Sequence, residues 1–191
     1  VMNRMILESD YNKVKFDEMR LAEKQMERIP ETIGSIPYII IMDRGYPSTP
    51  AFIHMMDKDI KFIVRLKSSD YKKEQSSLAE NDQIVKIKLD KSRIRHYEGT
   101  PDGERMKELG EISLRMVKIL LENGSLEVLA TNLSQTEFQT EEIKELYHMR
   151  WGIETAYETL KSRLQLENFT GTKPILLLQD IYSTIYLSNL V

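Results

Sequence analysis

The spacing of apolar positions divides the chain into segments of different periodicity. Phe16, Met19, Ala22, Met26 and Ile29 recur at steps of three and four between charged residues, which predicts an amphipathic helix ending before Pro30. Tyr38-Ile39-Ile40-Ile41-Met42 is a continuous apolar, β-rich run that ends directly in Asp43. That is the pattern of a strand buried on both faces of a largely parallel sheet. Gly45, Pro47 and Pro50 then break the chain. Thr49-Pro50 reads as the cap and first residue of a helix running to about Asp59, and Ile60 to Leu66 as a second strand. Strand, helix, strand in that order is a parallel crossover.

From Ser68 to Thr131 the signals become those of antiparallel hairpins. Val85, Ile87 and Leu89 alternate with Lys86 and Lys88, Pro101-Asp102-Gly103 marks a turn, and Asn123-Gly124 separates two apolar runs. Helical periodicity returns after Ser134, where Ser134 with Glu137 and Thr140 with Glu141 and Glu142 offer capping chemistry for one long helix reaching about Leu164. A last helix starts near Pro174. The pattern therefore predicts an α/β fold in three stretches: a partial core over 1–67, a β-rich insertion over 68–133, and C-terminal helices of the core over 134–191.

Composition narrows the chemistry. The chain has 191 residues and no cysteine, which removes disulfide scaffolds, thiolate zinc sites and cysteine nucleophiles together. Its size and 41% hydrophobic content suffice for an ordinary core. The 27 basic and 30 acidic side chains give a net charge of −3, so a nucleic-acid surface would have to gather its basic residues on one face. The apolar stretch from Ile175 to Val191 is interrupted by Gln179, Asp180, Ser183 and Asn189, which argues against a membrane span, and a cytoplasmic location is expected. Val1 is not an initiator residue and Val191 falls inside an apolar periodic run, so the chain reads as part of a longer one.

Nucleophile elbows, phosphate loops, dinucleotide fingerprints and zinc-protease helices are all missing from the sequence. His54, His96 and His148 lack ligand spacing, so any metal chemistry rests on carboxylates and a hard cation such as Mg²⁺ or Mn²⁺. Asp43 is the acid best placed for it, being the first polar side chain beyond the carboxyl end of a strand, where ligands of open α/β sheets gather. A strand-ending Asp that merely caps the next loop would look the same. The second feature is Tyr147, Arg150, Glu154 and Lys161, spaced Y-x2-R-x3-E-x6-K. Four prescribed residue types at fixed spacing arise by chance in roughly one chain in a thousand of this length. On one continuous helix they fall within an arc of about 60°, forming a polar stripe beside the apolar Leu146, Ile153, Tyr157, Leu160 and Leu164. An exposed Arg150–Glu154 ion pair would explain two of the four.

These residues, with the contexts R-W-G-I-E and D-R-G-Y, resemble the DDE transposases of the insertion-sequence-four family, from about Lys15 to the chain end. The resemblance implies a ribonuclease-H-like mixed sheet flanked by helices, with a β-rich insertion between the second and third acids. Asp43 would be the second acid and Glu154 the third, both ligands to two catalytic Mg²⁺ (or Mn²⁺) ions about 4 Å apart. Arg150 and Lys161 would contact transposon-end phosphates, and Tyr147 the DNA near the cleaved strand. Trp151 would stack on an extruded base or pack in the core. The implied partners are double-stranded DNA, both terminal repeats and target, and a second copy of the protein in a homodimer on paired ends.

One part of the pattern has no match. The family's first acid ends the first strand of its core, whereas Asp10 follows a poor strand and Asp17 sits in the amphipathic helix. The first acid, with the N-terminal strands of the core, is therefore expected upstream of Val1, and the chain by itself is expected to be inactive. Two other readings of the same residues are a nuclease that only hydrolyses DNA and a degenerate or domesticated domain that binds DNA or protein without catalysis.

Overall fold

The computed structural model describes residues 5–7, 9, 18–121, 124–163, 171 and 173–190. Asp10, Phe16, Asp17, Asn123, Leu164 and the side chain of Tyr157 lie outside them. The chain forms two compact units, Pro37–His148 and Val1–Ile36 with Met149–Val191.

The Pro37–His148 unit is built on one five-stranded sheet. Strand β1 (Ile39–Met42) leads through helix α2 (Thr49–Asp57) to β2 (Lys61–Leu66). The short helix α3 (Lys72–Ser76), strand β3 (Asp82–Lys88), α4 (Lys91–Ile94), α5 (Pro101–Leu109), β4 (Glu111–Leu120) and β5 (Leu126–Thr131) follow, and α6 (Thr140–His148) closes the unit. Helix α1 (Glu18–Ile33) belongs to the other unit and precedes all of these. The strand order is β1-β2-β5-β4-β3. The predicted crossover is present, since β1 and β2 run parallel with α2 between them. The other three pairings are antiparallel, so the sheet is mixed rather than largely parallel. Among the described residues β1 lies at its edge, which is why Ile39, Ile40 and Ile41 are only half-buried. The β-rich segment adds β3, β4 and β5 to the same sheet as β1 and β2.

Side-chain alternation gives this sheet two apolar faces. Phe62 and Val64 point to one, where Phe52 of α2 stacks on Phe62 with ring centroids 5.4 Å apart. Ile63, Val117, Ile119 and Leu129 point to the other and pack with Ile143 and Tyr147 of α6. Helices cover both faces of the central strands, as the pattern predicts, while Ile84, Lys86 and Lys88 of β3 remain exposed on the same face as Val117. Mixed α/β architecture of this kind fits a ribonuclease-H-like fold.

Four local features differ from the sequence reading. Ser48, not Thr49, caps α2: its side chain accepts from the Ala51 N–H at 3.2 Å, and its φ of −143° is extended. Pro101-Asp102-Gly103 opens α5 instead of a hairpin turn, because Thr100 caps it and Pro suits a first helical position. Helix α1 runs through Pro30 for one last turn, closed by the Gly34 N–H donating to the Pro30 carbonyl at 2.9 Å. The predicted helix from Ser134 to Leu164 is interrupted. It is α6, then a break at Met149 and Arg150, then α7 (Trp151–Glu158) and a π-helical turn over Thr159–Arg163.

At the break, Gly152 N–H donates to Met149 and Ile153 N–H to Arg150, three residues back instead of four. Gly152 itself disfavours a helix interior by about 1 kcal/mol. The break therefore divides the signature between the units, leaving Tyr147 in one and Arg150, Glu154 and Lys161 in the other. In the second unit α8 (Pro174–Leu190) follows, and its Asn189 side chain exchanges two 2.8 Å hydrogen bonds with the Ile6 backbone.

Candidate active site

Asp43 follows β1 directly, and its position is fixed by the turn that begins there: the Tyr46 N–H donates to the Asp43 carbonyl at 3.2 Å. The period of two carries its side chain to the same face as Ile39 and Ile41, the face covered by α6. There the Tyr147 hydroxyl donates to Asp43 Oδ1 at 3.4 Å, a long bond joining residues 104 positions apart. Tyr147 is otherwise buried, 5% exposed, because its ring belongs to the core cluster with Ile63 and Leu129. One aromatic side chain thus both closes the core and reaches the candidate acid.

Arg65 approaches the same carboxylate. Its Nη1 lies 3.8 Å from Asp43 Oδ1, while its Nη2 forms a close ion pair with Glu127. Glu127 is nearly buried, and Arg65 keeps less than a quarter of its side chain exposed. Arg65 pairs with Leu129 across the β2–β5 ladder, so Glu127 stands two residues away on the same face. The sequence reading did not single out Arg65 or Glu127. Their signal was parity, because Ile63 faces α6 and Arg65 must share that face, but parity needs the strand pairing before it links β2 to β5.

The approach of α6 to Asp43 is set by a polar clamp at its N-terminal end. Arg115 of β4 is 3% exposed and meets Asp82 bidentately, Nε to Oδ1 at 2.8 Å and Nη2 to Oδ2 at 2.6 Å. Its remaining Nη1 donates to the carbonyls of Leu133, Ser134 and Phe138 at 3.3, 3.1 and 2.7 Å. Asp82 also accepts from Thr140, the first residue of α6, and from Gln135. Chiefly through the Arg115 fork, the Asp82 carboxyl is held down at about 2. Sheet and helix start are thereby tied together across the loop.

In the other unit, Glu154 occupies the first turn of α7 with its side chain 62% exposed, and Arg150 Nη1 contacts its Oε1 at 3.1 Å. Arg150 is nearly buried. Trp151 is 56% exposed, so its indole is not a core side chain. Lys161 lies in the π-helical turn and is exposed. The single 60° stripe presumes an unbroken helix with 3.6 residues per turn, and the helix is broken at Met149 and Arg150 and turns π-helical at Thr159.

The donors at Asp43 and Glu154 are carboxylate oxygens, the kind a hard dication takes. In number they fall short: among the described residues no three Asp, Glu or His side chains gather closely enough to hold an ion.

Against this geometry the comparisons are decisive. The family model for the "Transposase DDE domain" matches residues 3–190. The chain belongs to that family. It is also similar to "Transposase InsG for insertion sequence element IS4" of Escherichia coli (strain K12), at 21% identity over 193 residues. That alignment takes in 99% of this chain and 41% of InsG, so the chain spans about two fifths of its curated relative. The transposase domain carries Asp43 directly after β1 and Glu154 in the first turn of α7. Among its described residues no helix is long and apolar enough to cross a membrane.

Proposed function

We propose that this domain supplies two of the three carboxylates of a Mg²⁺-dependent DNA transposase that cleaves insertion-sequence ends and joins them to target DNA. The observation that carries the reading is the Tyr147–Asp43 hydrogen bond, which brings the first residue of the Y-x2-R-x3-E-x6-K signature onto the Asp of D-R-G-Y. Asp43 and Glu154 are the metal-ligating acids. Bound Mg²⁺ or Mn²⁺ supplies the Lewis acidity that phosphoryl transfer needs. Arg150 and Lys161 hold phosphates of the terminal repeat, with Tyr147 beside the cleaved strand and Trp151, whose indole is exposed, stacking on an unpaired base. The partners are double-stranded terminal-repeat and target DNA and a second copy of the protein, in the bacterial cytoplasm. With the first acid contributed by chain beyond these 191 residues, this domain alone has negligible cleavage activity.

The test uses the full-length protein on terminal-repeat DNA with Mg²⁺. Losing an outer partner of a metal ligand already costs 10–100-fold, so Glu154→Gln and Asp43→Asn are expected to cut cleavage by at least about 100-fold while end binding stays within about twofold. Equal loss of binding would make Glu154 a structural residue. A wild-type protein that binds the ends and never cuts them would favour the non-catalytic reading.

A further inference from the structure

A cleft of about 650 Å³ opens at the other edge of the sheet, between α3, β3 and α4. Five cations line it: Lys72, Lys73, Lys86, Lys88 and Arg93. Its two acids are already engaged. Asp90 caps α4 by accepting from the Ser92 and Arg93 N–H groups at 3.0 and 3.2 Å, and Glu74 is ion-paired with Arg93. Lys86 Nζ reaches Glu111 at 2.7 Å, whereas among the described residues the ammonium groups of Lys72, Lys73 and Lys88 have no hydrogen-bond or ion-pair partner within reach. In a chain of net charge −3, this concentrates positive charge on one face.

The floor of the cleft is built rigidly. Tyr71 holds φ of 47°, in the left-handed region that aromatic residues rarely enter. It is kept there by a 2.9 Å hydrogen bond between its hydroxyl and Thr49, by packing on Phe52, and by Arg93 lying 5.0 Å over its ring. That backbone turn is what starts α3 and aims Lys72 and Lys73 along the cleft rim. Strand alternation puts Lys86 and Lys88 together on the exposed side of β3.

We infer that this cleft is a second DNA contact, in which Lys72, Lys73 and Lys88 neutralise backbone phosphates of a duplex independently of base sequence. The inference rests on the transposase reading and extends it away from the carboxylates. β3 and β1 are opposite edges of the sheet, four strand spacings or about 19 Å apart, so the cleft and Asp43 belong to different edges of it.

Direct measurement is by DNA binding of the 191-residue chain as a function of salt, using duplexes of terminal-repeat and unrelated sequence. Replacing Lys72, Lys73 and Lys88 together by Gln should reduce the slope of log affinity against log salt by about 2.7, at 0.9 per phosphate. Affinity at 0.1 M salt should fall by about tenfold or more, equally on both sequences. A matched variant, Lys58→Gln, Lys67→Gln and Lys107→Gln, removes three exposed charges outside the cleft and should leave the slope within about 0.5 of wild type. Acetylation footprinting of the wild-type chain gives a readout that needs no variant: duplex should protect Lys72, Lys73 and Lys88 and leave Lys58 reactive. Wild-type binding with an unchanged slope in the cleft variant, equal effects of the two triple variants, or unprotected cleft lysines would each overturn the inference. Lys88 would then serve only to keep the edge strand β3 from pairing with other chains, and Lys72 and Lys73 only as solvated charges on α3. Failure of the wild-type chain to bind any duplex would overturn the inference, and Glu154→Gln in the full-length protein would then judge the transposase reading separately.

Discussion

Asp82→Asn separates charge from shape at the clamp that sets α6. The substitution keeps the size of the side chain and an oxygen able to accept from Arg115 or Thr140, and removes only the negative charge. What remains is a guanidinium 3% exposed with no carboxylate opposite it. Breaking a buried pair from one side costs about 3–5 kcal/mol, and the surviving acceptor places this case at the lower end, about 3 kcal/mol. The acid–base behaviour expresses the same contact in another form. Holding the carboxyl at about 2 instead of its ordinary 3.8 corresponds to about 2 kcal/mol, at roughly 1.4 kcal/mol per pH unit.

The sign follows from linkage. A depressed folded-state value means stability that is fully present above about pH 4 and lost as the pH falls towards 2. Urea unfolding at fixed pH is the assay, with Asp82→Asn and wild type compared at pH 7 and then stepped from 5 to 2. The variant should be about 3 kcal/mol less stable at pH 7, a large part of the 5–15 kcal/mol of an ordinary domain, and should lack the wild-type decline between pH 4 and 2 that belongs to Asp82. A loss below about 1 kcal/mol at pH 7, or an acid decline parallel to wild type, would refute the reasoning.

Two further substitutions test other parts of the same unit. A Cβ at position 103 would lie 2.0 Å from the Tyr97 carbonyl oxygen, a backbone atom that cannot turn aside, so Gly103→Ala should destabilise by about 1–3 kcal/mol despite alanine's better helix propensity. An unchanged or higher melting temperature would contradict that packing. Tyr147→Phe keeps the buried ring and removes the long hydrogen bond to Asp43, so stability should change by less than about 1 kcal/mol. Cleavage by the full-length Tyr147→Phe protein should fall by about tenfold, the low end for an outer partner of a metal-ligating acid, and a wild-type rate would deny Tyr147 that role.

Local sequence determined the elements whose signal is periodicity or punctuation. The apolar run ending in Asp43, the crossover to Leu66 and the alternation around Val85 each state which way successive side chains point, and the strands lie where those patterns place them. The signature spacing likewise named Tyr147, Arg150, Glu154 and Lys161 without any coordinates. Tertiary structure decided what those residues touch. Periodicity is blind to a break such as Met149–Arg150, since apolar residues continue on both sides of it while the backbone changes its hydrogen-bonding partner by one residue. Arg65 between Asp43 and Glu127, and Asp82 under Arg115, come from strands paired over long sequence separations, and a single strand carries no record of its partner. Strand direction in the sheet is of the same kind: a continuous apolar run reports that both faces are covered, and only the assembled sheet shows that β1 lies at its edge, with β2 as its parallel neighbour.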